Sequence, residues 1–128
     1  MRNVVVTGGS RGLGLAISLK LAAAGYRAIA IARTESRELS AAIAASASAG
    51  TDALQYRPFD LADIDAVAPL VASLRKSFGP IHGLVNNAAL GDDGALSLMH
   101  TAKIVSGVSA PLPWWLDIFG EGQAARCR

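Results

Sequence analysis

The chain has 128 residues, enough for one compact domain and too few for two. Hydrophobic residues make up 52% and charged residues 17%, a balance that excludes disorder over most of the length. The net charge is only +2, with nine Lys/Arg against six Asp/Glu in residues 1–90, so no basic stripe offers itself to nucleic acid.

Asn3–Thr7 is a β-branched run ending in a glycine cluster, which predicts a buried strand. Leu13, Ala16, Ile17, Leu21 and Ala24 recur at helical spacing, with Gly25 placed as a C-terminal cap. Ala28–Ala32 is a second short apolar run. Thr34 and Glu35 open an alanine-rich helix that continues to about Ser48 and stops at Gly50. Leu54–Phe59 reads as a weaker third strand. Asp63 precedes a third helix with Ile64, Val67, Val71, Leu74 and Phe78 on one face. Pro69 inside it predicts a kink or a late start. Gly79-Pro80 ends that helix, and Ile81–Asn86 makes a fourth strand.

Four strands separated by three helices, with continuous apolar strands, predict an α/β fold whose parallel sheet is covered on both faces. Crossover handedness makes this a partial Rossmann-like, doubly wound sheet in strand order 3-2-1-4. After Leu90 the pattern changes. Gly91-Asp92-Asp93-Gly94 reads as a turn, Ala95–Val105 has a poor helical stripe, and Ser106–Pro113 is rich in Ser, Gly and Pro. Residues 1–99 are expected to form this Rossmann-like unit, and residues 100–128 an atypical, irregular or partly helical tail.

The single cysteine, Cys127, allows neither an internal disulfide nor a cysteine-based zinc site. Flanked by Arg126 and Arg128, its thiol alone defines no activity. No uncharged apolar run is long enough to span a bilayer, and Val4-Val5-Val6 is too short for a signal-peptide core. No membrane partner is expected, and the cytoplasm is the expected location. His100 with Asp92 and Asp93 reads as a solvated stretch, His82 as a strand-edge residue, and Trp114-Trp115 as cover for apolar surface.

The segment Thr7-Gly8-Gly9-Ser10-Arg11-Gly12-Leu13-Gly14 lies between the first strand and the first helix. Backbone N–H groups and the positive end of a helix hold a pyrophosphate at such a turn. Glycines are needed where a Cβ would keep the phosphate away. The spacing is G-x-x-x-G-x-G, and the lysine of a P-loop is absent. A tight turn with close helix–strand packing would use the same glycines.

The second strand sharpens the ligand. An acidic residue at its tip would bind the free ribose 2′-OH of NAD, but the chain runs Ile31-Ala32-Arg33-Thr34. Arg33 and Arg11 are placed to clamp a 2′-phosphate, supported by the Ser10 or Thr34 hydroxyl. Each arginine alone also fits a solvated surface charge. Together, beside one expected ribose, they point to NADP(H). S-adenosylmethionine, which has no phosphate, fits them poorly.

These residues resemble the short-chain dehydrogenase/reductase family, in its bacterial 3-oxoacyl-acyl-carrier-protein reductase-like branch. The resemblance rests on Thr7–Gly14, Asp60-Leu61 after the third strand, and Asn86-Asn87-Ala88-Ala89 after the fourth, and covers roughly residues 3–99. It implies that Gly8, Ser10, Arg11, Gly12, Leu13 and Gly14 hold the pyrophosphate and the adenosine ribose. Asp60 would accept from the adenine amino group, with Leu61 near the ring, and Asn87, Ala88 and Ala89 would lie along the cofactor ribose. Ala89 stands where the family usually has glycine. Read from the residues alone, Asp60 or the better-placed Asp63 would cap a helix, and Asn86 and Asn87 would satisfy backbone groups between loops.

The resemblance also implies hydride transfer between nicotinamide and a carbonyl or alcohol carbon. The family's general acid/base is a tyrosine with a lysine four positions on, helped by a serine and an asparagine. Here the only tyrosines are Tyr26 and Tyr56, and four positions beyond them stand Ala30 and Asp60. No asparagine occurs after Asn87, and Lys103, Ser106 and Ser109 stand in no matching context. Two readings remain. One is a truncated or frame-disrupted family member that keeps its NADP(H)-binding half, and the other a non-catalytic NADP(H)-sensing or interaction module. In both, the fourth strand is an apolar edge, which predicts self-association.

Overall fold

In the computed structural model, which describes residues 1–88, the β-branched run Asn3–Thr7 forms strand β1, buried along its whole length. Strands β2 (Arg27–Ala32), β3 (Leu54–Pro58) and β4 (Ile81–Val85) run parallel to it in the order β3-β2-β1-β4. This is the expected Rossmann-like order. Val5 pairs with Ile29 on one side and Leu84 on the other, and Ala30 pairs with Tyr56. The β1–β4 register shifts between Asn3 and Val4, which leaves His82 as an extra residue on β4. His82 is exposed, and its Nδ1 accepts from the Asn3 N–H at 3.2 Å.

Helices α1 (Gly12–Ala23) and α2 (Arg37–Ser48) cover one face, where Ala28, Ala30, Leu39 and Leu54 form a core with Leu15, Leu21 and Ile43. Helix α3 (Val67–Phe78) covers the other, packing Val67, Val71 and Leu74 on Val5, Ile29 and Ile31. The period-2 alternation of β2 sends alanines to the first face and isoleucines to the second. Small residues therefore meet the helix that approaches closest.

The apolar spacing of α1 does not mark the face it turns to the sheet. Its buried residues are Gly14 and Ser18, and Leu13 is 70% exposed. The helix is apolar nearly all round, so large side chains cannot choose its orientation. Closeness chooses instead, because only small side chains fit where α1 meets β1. Ser18 satisfies its buried hydroxyl by donating to the Gly14 carbonyl at 2.9 Å. Leu13, Ala16, Ile17, Lys20 and Leu21 consequently line an open apolar groove of about 360 Å³.

Two helix starts fall later than their sequence signals. Helix α2 begins at Arg37 because the Ser36 hydroxyl, not Thr34 or Glu35, accepts from the Leu39 N–H at 3.1 Å. Helix α3 comes after a single 3₁₀ turn over Ile64–Ala66, which places Pro69 in its first turn, where no intrahelical N–H is needed. Ile64 lies outside the helical stripe and is 55% exposed. Gly25 stands directly after the Ala24 cap of α1 at φ +86°, as expected.

The N-terminal end of the sheet is closed by Asn3. Its buried Nδ2 donates to the Phe78 and Pro80 carbonyls at 2.8 and 2.9 Å, and its Oδ1 accepts from Arg27 at 3.3 Å. The Arg27 and Arg57 guanidiniums lie over the Phe78 ring. That leaves the C-terminal strand ends for a ligand. No helix among the described residues is long and apolar enough to cross a membrane. Ala89, the 100–128 tail, Asp92, Asp93, His100, the tryptophans and Cys127 lie outside the described residues.

Candidate functional site

The C-terminal ends of β1, β2 and β4 meet around Thr7. Its side chain is fully buried, and its hydroxyl accepts from the Asn87 and Ala88 N–H groups, both at 3.0 Å. The same oxygen lies 3.4 Å from the Val85 carbonyl and from Asn86 Oδ1, either of which can take its proton. Asn87 Nδ2 reaches back to the Thr7 and Gly8 carbonyls at 3.3 and 3.4 Å. Asn87 thus joins the two loops, the structural role its residue type predicted. Thr7 was legible only as part of the glycine motif.

The glycine turn is built by close approach. Gly8 sits at φ +65° and donates to the Ile31 carbonyl at 2.8 Å, tying the loop to β2. A Cβ on Gly9 would lie 2.7 Å from that of Ala30. A Cβ on Gly14 would lie 2.0 Å from the Gly8 carbonyl oxygen and 2.6 Å from Asn87 Nδ2. Gly12 takes φ +55° with open space beside it.

Helix α1 leaves this turn with its N-terminus open. Arg11 occupies the cap position with extended backbone, no side chain caps the helix, and no acidic residue stands in its first turn. The positive end of α1 therefore faces the strand tips uncompensated, a suitable seat for an anion. Helix α2 is the opposite case, capped by Ser36 and carrying Glu38 in its first turn.

The remaining residues divide by exposure. Arg11, Leu13, Arg33 and Asp60 are exposed, and Leu61 is half-buried against the α3 core. Arg33 makes no hydrogen bond or ion pair with the described residues. Asp60 Oδ1 accepts from the Ala62 N–H at 3.0 Å, closing a local turn, so neither Asp60 nor Asp63 caps α3. Ser10 is only 3% exposed, and its hydroxyl accepts from the Ser36 N–H at 2.9 Å. Ser36 in turn donates its own hydroxyl proton to the Ser10 carbonyl. Ser36 carried one sequence signal, a serine three residues before Leu39 at the head of an alanine-rich run.

Tyr56 donates to the Ala32 carbonyl at 3.1 Å beside the tip of β2. Burial, then the nearby Glu35 carboxylate, raise its phenol above the ordinary tyrosine value. Among the described residues no His, Cys, Asp and Glu cluster of three or more could hold a metal ion.

A family model described as short chain dehydrogenase matches residues 2–109. The 3-oxoacyl-[acyl-carrier-protein] reductase MabA of Mycobacterium tuberculosis is 33% identical over 111 residues, covering 87% of this chain and 40% of that protein. The 3-oxoacyl-[acyl-carrier-protein] reductase FabG of Staphylococcus aureus is 34% identical over 99 residues, 77% of this chain and 39% of that protein. Among solved structures, a variant of actinorhodin polyketide ketoreductase with NADPH aligns at TM-score 0.69 and 27% identity, over 91% of this chain and 44% of that one. A short-chain dehydrogenase from Streptomyces avermitilis shares the fold, with TM-score 0.74 at 23% identity over 98% of this chain and 44% of that one. The chain spans about two fifths of the length of the MabA and FabG reductases.

Proposed function

The chain belongs to the short-chain dehydrogenase family, and from that premise we propose that its residues 1–99 bind NADP(H) in the cytoplasm without themselves completing hydride transfer. One observation carries the reading: the N-terminus of α1, with no side-chain cap and no acidic residue in its first turn, opens from the tight Gly8–Gly14 turn at the C-terminal end of β1. Such a cradle fits a dinucleotide pyrophosphate, held by Gly8, Ser10, Arg11, Gly12, Leu13 and Gly14. Asn87, Ala88 and Ala89 would line the cofactor ribose, and Asp60 and Leu61 the adenine.

The preference for the 2′-phosphorylated cofactor rests on the residues directly after β2. Arg33 is exposed and free among the described residues, and no carboxylate stands at that position to claim a ribose hydroxyl. The first acid, Glu35, lies near Tyr56. When bound, NADP(H) supplies hydride exchange between its nicotinamide ring and a carbonyl or alcohol carbon.

The proton that must accompany such an exchange has no donor with the family's pattern. Tyr26 precedes β2, at the end of the sheet away from the glycine loop, and Tyr56 donates its proton to the Ala32 carbonyl. Neither has a lysine four positions on. Calorimetric titration with NADPH, run beside a carbonyl-reduction assay, tests both halves of the reading. Saturable heat without NADPH oxidation is expected. No affinity at millimolar NADPH overturns the binding, and turnover overturns the inactivity.

Strand β4 pairs only with β1 among the described residues, so its outer edge offers backbone groups to another chain. Self-association through that edge is part of the same proposal. Light scattering should show mass rising with protein concentration, and a constant monomer mass would refute it.

A further inference from the structure

Resting on the NADP(H) reading, we propose that Ser36 is a positioning residue that sets the chain's preference for the 2′-phosphorylated cofactor by holding Arg33 against the glycine loop. The segment from Ile31 to Ser36 is fastened to that loop at both ends. At one end the Ile31 carbonyl accepts from the Gly8 and Gly9 N–H groups at 2.8 and 3.4 Å. At the other, Ser36 and Ser10 exchange two hydrogen bonds, N–H to hydroxyl at 2.9 Å and hydroxyl to carbonyl. Arg33 and Thr34 arch between the two fastenings, both exposed. The first fastening is all backbone. The second depends on side chains, and so on residue identity.

The Ser36 oxygen does two jobs at once. It donates to the Ser10 carbonyl and accepts from the Leu39 N–H, and thereby joins the N-terminus of α2 to the loop before α1. A hydroxyl offers both the donor and the acceptor on a single oxygen, which is what these two bonds use. Ser10, almost wholly buried between exposed Arg11 and half-buried Ser36, is the fixed point on the loop side. Arg33 has no partner of its own among the described residues, so its reach depends on where these fastenings hold its backbone.

Glycine is tolerated at a helix cap nearly as well as serine, so Ser36→Gly removes the hydroxyl half of the clasp, leaves the Ser36 N–H on the Ser10 hydroxyl, and spares α2. Calorimetric dissociation constants for NADPH and NADH, in the wild type, Ser36→Gly and Ser36→Thr, form the test. Ser36→Gly should weaken NADPH by about 5- to 10-fold, the range of one lost hydrogen bond, and leave NADH within about 2-fold. Ser36→Thr, which keeps the hydroxyl, should restore the wild-type ratio. Equal weakening of both cofactors would show a merely structural role, and an unchanged ratio in Ser36→Gly would overturn the proposal while sparing the NADP(H) reading. A wild type that does not prefer NADPH overturns both.

Discussion

Gly14 presents its α-carbon to the carbonyl oxygen of Gly8 so closely that a methyl group there would lie 2.0 Å from it. The whole β1–α1 turn depends on this contact, because the clashing atoms are backbone and cannot swing away. Gly14→Ala should therefore cost about 1–3 kcal/mol or more, the usual range for overpacking. Gly12→Ala meets nothing within 4 Å, and its positive φ should cost about 1–2 kcal/mol. Urea unfolding of both variants checks the order. Gly14→Ala should also abolish NADPH binding under conditions where the variant remains folded.

Thr7→Val keeps the shape of a buried side chain and removes its oxygen. The Ala88 N–H then loses its acceptor and the Asn87 N–H keeps only the Val85 carbonyl at 3.1 Å, at about 1–3 kcal/mol for a polar group left unpaired. Thr7→Ser keeps the oxygen and should stay within about 1 kcal/mol of wild type, the scale of one lost methyl group. Thermal unfolding of the pair separates the hydroxyl from the packing.

Arg33→Ala should weaken NADPH about 10-fold or more, the scale of a charge-assisted bond to phosphate, with little change for NADH. The salt dependence of NADPH binding should fall with it, because one phosphate contact fewer is screened. Titrations at two ionic strengths read both effects.

Tyr56 gives a pH signature. Its folded-state phenol titrates above the ordinary value, so the unfolded chain releases that proton first as the solution becomes alkaline. The stability this difference contributes is whole below about pH 10, the unfolded tyrosine value, and is lost as pH rises from there through the folded value. Tyr56→Phe should start less stable by about 1 kcal/mol for the bond to Ala32, but decline less steeply above about pH 10. Urea midpoints measured across the alkaline range give the two slopes.

Strands β1 and β2 were legible as short apolar runs closed by glycine or a polar residue, and Asn3–Thr7 matches the observed β1 end for end, whereas β3, Leu54-Gln55-Tyr56-Arg57-Pro58, gave the weaker signal of a half-buried strand. The order 3-2-1-4 came from chirality. The orientation of α1 was not legible, since Leu13 and Ile17 carry more apolar surface than the Gly14 and Ser18 that face the sheet. At the site, Gly8, Gly14 and Asn87 could be named from motif spacing. The pairing of Ser10 with Ser36 could not, because it joins residues 26 apart through a hydrogen bond that no local pattern encodes.

The location of the nucleotide is tested most directly by heteronuclear NMR on ¹⁵N-labelled protein titrated with NADPH. Amide shifts should concentrate in Gly8–Gly14, Arg33, Asn87 and Ala88, while Asn3, Arg27 and Phe78 at the far end of the sheet stay still. Shifts confined to that far end, or none at millimolar NADPH, would contradict a dinucleotide seat at the open end of α1.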